Sequence, residues 1–191
     1  MAEQQYKILL TGGPSTGKST LQKALISALE ARGYTASGVF EYAREYQEKT
    51  GAYENPFERF IVYLGSHLKH QAEHHEQFLV FDDASFINVP YARMYRPHSH
   101  PLIHKWDEGL RLIEELEREH PQQFITYLLP SGVFEAVNDA VRHDAHNQAV
   151  ITDYMEDYLK EVGASYHVIT SSSVEDRVEE IIRDLEARVS I

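Results

Sequence analysis

Short apolar runs alternate with longer amphipathic stretches along this chain. The runs at 6–11 (YKILLT), 35–40 (TASGVF), 77–83 (QFLVFDD), 123–129 (QFITYLL) and 165–170 (SYHVIT) are brief, and most are rich in β-branched or aromatic residues. The pattern predicts strands buried on both faces of a sheet. Between them, apolar residues recur at helical spacing. Leu21, Leu25 and Leu29 form one stripe in STLQKALISALEAR, which stops before Gly33. Phe57, Phe60, Ile61, Leu64 and Leu68 form a second, with Pro56 at the first turn. Leu112, Ile113 and Leu116 are expected to point inward from a third, DEGLRLIEELEREH, ending before Pro121. A fourth opens at Ser173, where Ser173 and Asp176 make a capping-box pattern, and Leu185 and Val189 extend its apolar face.

Strand and helix in that rhythm predict an α/β chain. Its three layers are a central, mainly parallel five-stranded sheet with right-handed crossovers and helices on both faces. No internal repeat, low-complexity tract or linker interrupts the rhythm. Residues 1–191 are therefore expected to form one domain, with a short tail at 1–5.

Composition narrows the partners. A hydrophobic content of 42% and a charged content of 25% are those of a globular protein. Thirty acidic against 18 basic residues give a formal net charge of -12. Nucleic-acid binders usually carry the opposite balance, because lysine and arginine displace counterions from the phosphate backbone. Small ligands are expected instead. The chain has no cysteine, which excludes disulfide and thiolate chemistry. The start MAEQQYKILL does not read as a signal peptide, and no apolar stretch nears the roughly 18 residues needed to span a bilayer. A cytoplasmic protein without a membrane partner is the expectation; nothing in the pattern sets an oligomeric state.

The stretch GGPSTGKST, residues 12–20, carries the chemistry. Gly12, Gly17, Lys18 and Ser19 match G-x-x-x-x-G-K-[ST], with a predicted strand before and an amphipathic helix after, the context such a motif requires. Gly12, Gly13 and Gly17, with Pro14, Ser15, Thr16 and Thr20, would wrap backbone N–H groups around phosphates. The helix start adds partial positive charge. Lys18 would reach the β- and γ-phosphates, and the Ser19 hydroxyl would hold Mg²⁺. The expectation is thus a P-loop nucleoside triphosphate hydrolase/kinase fold using ATP and Mg²⁺.

Other segments bear on what the triphosphate is used for. The third run ends Asp82-Asp83-Ala84, without the glutamate by which motor ATPases activate water, and no N-K-x-D guanine-reading tetrapeptide occurs. Both points favour transfer to a bound acceptor. Glu41 and Arg44 follow the second strand, at the carboxyl end where ligands sit in doubly wound sheets. Asp139, Arg142 and His143 fall between the fourth strand and a following helix, within an expected lid at about 131–147. An arginine there would neutralise charge and exclude water.

Through ILLTGGPSTGKSTLQKAL, VFEYAREY, FLVFDDASF, ITYLLP and VNDAVRHDAHNQ, the chain resembles the ribosylnicotinamide kinase domain of NadR-type proteins and the P-loop kinases related to it. The resemblance spans nearly the whole chain. It implies an ATP-dependent kinase acting on the 5'-hydroxyl of a nucleoside-like acceptor, with nicotinamide riboside the leading candidate. Lys18, Asp82 and Arg142 would be catalytic, with Asp82 orienting Mg²⁺ or accepting the hydroxyl proton. Ser19 and Asp82 would hold the metal, and Glu41, Arg44 and Asp83 would line the acceptor site. The chain departs from the family at Asp83-Ala84, where a second aspartate is usual two places after the first, and at Asp139-Ala140, where Asp-Gly is usual. No adenylyltransferase domain stands beside the kinase segment, so NAD synthesis is not expected of this chain. Alternatives are a kinase for another acceptor, a nucleotide or a modified base in DNA, and a non-catalytic ATP- or GTP-binding regulator.

A cationic nicotinamide ring would suit an acidic pocket with aromatic walls, and twelve tyrosines, eight phenylalanines and Trp106 supply candidates. His67, His70, His74 and His75 lie close in sequence, as do His98, His100 and His104. Without a closed-site ligand pattern they are expected on a solvated face and a proline-bounded loop.

Overall fold

The computed structural model describes residues 4–39, 56–94, 96, 103–133 and 148–189. The strands are β1 (Tyr6–Thr11), β2 (Ala36–Val39), β3 (Phe78–Asp82), β4 (Ile125–Leu128) and β5 (Tyr166–Val168). The helices are α1 (Lys18–Ala31), α2 (Pro56–Glu73), α3 (Asn88–Met94), α4 (Ile103–Glu117), α5 (Gln148–Glu161) and α6 (Val174–Val189). All five strands are parallel, in the order β2-β3-β1-β4-β5. β1 is therefore central, paired with β3 on one side and β4 on the other, and it is where the strand order reverses.

Alternation along the strands divides the core into two layers. Ile8 and Leu10 of β1, with Phe78 and Val80 of β3, pack against Leu21, Leu25 and Leu29 of α1 and Val178, Ile181, Ile182 and Leu185 of α6. Leu9, Leu79 and Phe81 point the other way, toward Phe60 of α2, Ile113 of α4 and Ile151, Met155 and Leu159 of α5. Each buried leucine or isoleucine contributes about 1.5–3 kcal/mol relative to exposure. Opposite-facing pairs on one strand thus clamp helices to both sides of the sheet. The expected three-layer α/β architecture is what forms.

Details depart from the sequence pattern. β5 is a partly exposed edge strand, with Val168 at 41% exposure, not a segment buried on both faces. Ile61 and Leu68 of α2 are exposed, while Phe60 is fully buried and Phe57 and Leu64 pack beside it. On α4, Leu116 is exposed at 61% and Glu117 is buried instead. The helix turns this way because Glu117 has partners there: buried Ser85 Oγ donates to its Oε1 at 2.7 Å, and half-buried His120 Nδ1 lies 2.5 Å from Oε2. A buried carboxylate survives only with such bonds. His67 is likewise buried, its ring edge-on to Phe81 at 5.4 Å, and not on a solvated face. His98, His100 and His143 lie outside the described residues. The capping pattern forms at α6, where the Asp176 amide donates to Ser173 Oγ at 3.0 Å.

Candidate functional site: a phosphate loop facing two aspartates

β1 ends at Thr11 and α1 begins at Lys18, so residues 12–17 must reverse the chain in a tight arc. Gly12 adopts φ 144, and a Cβ there would lie 2.6 Å from the Leu129 carbonyl oxygen. Only glycine meets both demands. Gly17 caps α1 in the left-handed region, at φ 89, without a side-chain cap bond, and no acidic residue occupies the first turn of the helix. The positive end of α1 thus meets no acidic side chain from its own first turn, a setting that suits an anion. Within the loop, Thr16 Oγ1 donates to the Gly13 carbonyl at 2.9 Å.

Lys18 folds back over this arc. Its Nζ donates to the carbonyls of Gly12 and Gly13 at 2.8 and 3.0 Å and lies 3.3 Å from Asp83 Oδ2. The ammonium is largely buried, which sharpens its field in the space beside the loop. Ser19 Oγ donates to Asp82 Oδ2 at 2.5 Å.

β3 delivers both aspartates by its register. Asp82 pairs with Leu10, and the Asp83 amide donates to the Leu10 carbonyl at 3.1 Å, one step beyond the ladder. Asp83 itself sits at φ 62, a left-handed conformation uncommon for a non-glycine residue, which aims its carboxylate at Lys18. Both aspartates are 2% exposed. Gln22, on α1, ties β2 to β3 by donating to the carbonyls of Val39 and Val80 at 2.9 and 2.7 Å.

The structure therefore gathers Gly12 through Thr20, Asp82 and Asp83 at the carboxyl ends of β1 and β3. Asp83, expected beside the acceptor, faces the phosphate-loop lysine. Glu41, Arg44 and Arg142 lie outside the described residues. The sequence pattern gave no hint of three further residues that brace the loop. Arg177, fully buried on α6, donates from Nη1 to the Thr16 carbonyl and from Nε to the Ser171 carbonyl, both at 2.9 Å. Burial pulls its guanidinium below the ordinary arginine pKa. Gln148 and Thr152 of α5 hold the other flank of the loop.

A serine hydroxyl and a carboxylate side by side offer hard oxygen donors of the kind Mg²⁺ takes, together with phosphate oxygens and water. Ser19 and Asp82 fit that ion.

The sequence matches the AAA_28 family, described as an AAA domain, over residues 7–177. The chain belongs to that family of P-loop proteins. No curated protein matches it. Among solved structures, a NadR protein in complex with NR superposes with a TM-score of 0.71 at 17% identity, covering 98% of this chain and 50% of that one. NadR in complex with NAD and AMP-PNP gives 0.69 at 18% identity, again over 98% and 50%. Deoxyadenosine kinase from M. mycoides, with products dCMP and a flexible dCDP bound, gives 0.59 at 14% identity, covering 95% of this chain and 99% of that one. The fold is the one these solved structures share, and the chain spans about half the length of the NadR chains it matches. No helix among the described residues is long and apolar enough to cross a membrane.

Proposed function

We propose that this protein is an ATP-dependent kinase that moves the γ-phosphate to a hydroxyl of a small nucleoside-like acceptor, with nicotinamide riboside the favoured acceptor. The observation that carries the reading is the contact between Ser19 and Asp82 beside a buried Lys18, at the mouth of a loop shaped for phosphates. In this reading, amides of residues 12–20 hold the triphosphate, and Lys18 exchanges its loop carbonyls for phosphate oxygens. Mg²⁺, when bound at Ser19 and Asp82, neutralises charge on the phosphates. Asp82 in this reading either orients the metal or accepts the proton of the attacking hydroxyl. Glu41 and Arg44 take the acceptor-binding role, and Arg142 the part of a cation closing over the transferred group. The rest of the rate comes from alignment and charge neutralisation, since phosphoryl transfer needs little covalent help.

A second reading, a deoxynucleoside acceptor, draws support from the likeness to deoxyadenosine kinase, which this chain matches over 99% of that enzyme's length. One experiment separates them. Nucleosides are incubated with the protein and Mg-ATP, nicotinamide riboside first and deoxyadenosine second, and products are read by mass spectrometry. A phosphorylated nucleoside formed in step with ADP supports the kinase and names its acceptor. ADP without a phosphorylated acceptor, or no turnover, contradicts it.

A further inference from the structure

The phosphate loop is held from outside by the first two turns of α5. The Gly13 amide donates to Thr152 Oγ1 at 2.9 Å. One turn earlier, Gln148 uses both ends of its side-chain amide: Nε2 donates to the Pro14 carbonyl at 2.8 Å, and Oε1 accepts the Gly132 amide at 2.8 Å. Thr152 Oγ1 also donates to the Gln148 carbonyl at 2.8 Å, so the two residues brace each other. Contact between helix and loop is so close that a Cβ on Gly13 would lie 2.3 Å from the Gln148 carbonyl oxygen. Gln148 and Thr152 are each 7% exposed.

This geometry ties together three parts of the chain. Pro14 follows β1, Gly132 follows β4, and those strands are neighbours in the sheet. One glutamine fixes the spacing of the loops that leave them. The Gly13 amide serves as a strut to α5, and that strut fixes where the loop stands as it runs on to α1. Loop amides bind a triphosphate well only if they are already aimed before it arrives, because ordering them afterwards subtracts from affinity.

We propose that Gln148 and Thr152 are positioning residues that hold the loop at residues 12–20 in its triphosphate-gripping shape, so that affinity for the phosphate chain itself depends on them. The inference rests on the phosphate-loop reading above. It assigns to α5 a part in recognising the nucleotide's phosphates rather than its base or the acceptor.

The test is calorimetric titration of the full chain with Mg-ATP and, separately, with inorganic tripolyphosphate and Mg²⁺. Thr152→Val removes the acceptor while keeping the shape; Thr152→Ser keeps the hydroxyl; Gln148→Met keeps the length and removes both bonds. Thr152→Val is expected to weaken both ligands about 10-fold, and Gln148→Met, which loses two bonds, at least as much. Thr152→Ser is expected within about 3-fold of wild type. Equal weakening of ATP and tripolyphosphate, with rescue by serine, supports the proposal; a merely structural role would lower the thermal midpoint of Thr152→Val and leave its affinity for both ligands at the wild-type value. Wild-type affinity in both Thr152→Val and Gln148→Met overturns it, as does a Thr152→Ser variant as weak as Thr152→Val. Should Thr152→Val not fold, Gln148→Met decides alone. A wild-type protein that binds neither ligand overturns the phosphate-loop reading itself, whereas normal wild-type binding with unaffected variants overturns only the role of α5.

Discussion

The hydroxyl of Ser19 and the carboxylate of Asp82 meet at 2.5 Å, although 63 positions separate them in the chain. Ser19 is set by the first turn of α1 and Asp82 by the last residue of β3. Parallel pairing of β1 with β3 carries each to the same end of the sheet. Asp82→Asn keeps the shape and removes the charge. Phosphate transfer is expected to fall by about 10²-fold or more, and the Mg²⁺ concentration for half-maximal rate to rise. The check is initial rate against Mg²⁺, with the far-ultraviolet circular dichroism unchanged.

Lys18 is the second catalytic prediction. Its ammonium bridges two loop carbonyls and Asp83, all in a largely buried setting. Lys18→Met keeps much of the stem and removes the charge. Turnover is expected to drop by about 10²-fold or more, with the thermal midpoint shifted by only a few degrees, about 1 kcal/mol for a domain of this size. Steady-state kinetics and a melting curve on the same preparation check both halves.

Gly13→Ala addresses packing rather than chemistry. The added methyl group would stand 2.3 Å from the Gln148 carbonyl oxygen and 2.8 Å from Thr152 Oγ1. Backbone on the far side cannot yield as a flexible side chain would, so a loss of about 1–3 kcal/mol is expected. Urea denaturation measures it, and an unchanged midpoint would mean that the loop and α5 are not held together as described.

His67 predicts a pH dependence of stability. Burial first, then the neighbouring His120 and His70, pull its pKa from 6.5 down to about 4. The unfolded chain takes up this proton near 6.5, so between there and about 4 it holds more protons than the folded protein. Stability from neutral His67 is complete above pH 6.5 and is lost as pH falls toward 4, by about 1.4 kcal/mol per unit at most. His67→Phe should flatten the decline in urea midpoint between pH 7 and 5. An equally steep decline in that variant would place the titration elsewhere.

How much of this could be read from the sequence follows from the range of each interaction. The strands and helices declare themselves through local periodicity, and the loop at 12–20 through a motif that lies between two such elements. Asp82 was legible because it ends an apolar run. Gln148, Thr152 and Arg177 were not: they reach the loop across 134, 139 and 161 positions, and nothing local marks a glutamine or a threonine as a loop brace. The rotation of α4 was equally hidden. Periodicity favours Leu116 inside, but Ser85, the buried partner that draws Glu117 inward, lies 32 positions away, beyond the reach of a local pattern. The expected roles of Glu41, Arg44 and Arg142 fall outside the described residues.

The central claim is that the arc between β1 and α1 grips a triphosphate. Isothermal titration of Mg-ATP into the wild-type protein and into Lys18→Ala tests it most directly. The account predicts one site per chain in the wild type and at least about 100-fold weaker binding in the variant, roughly 2.7 kcal/mol. No binding by the wild type, or equal affinity in the two proteins, would contradict it.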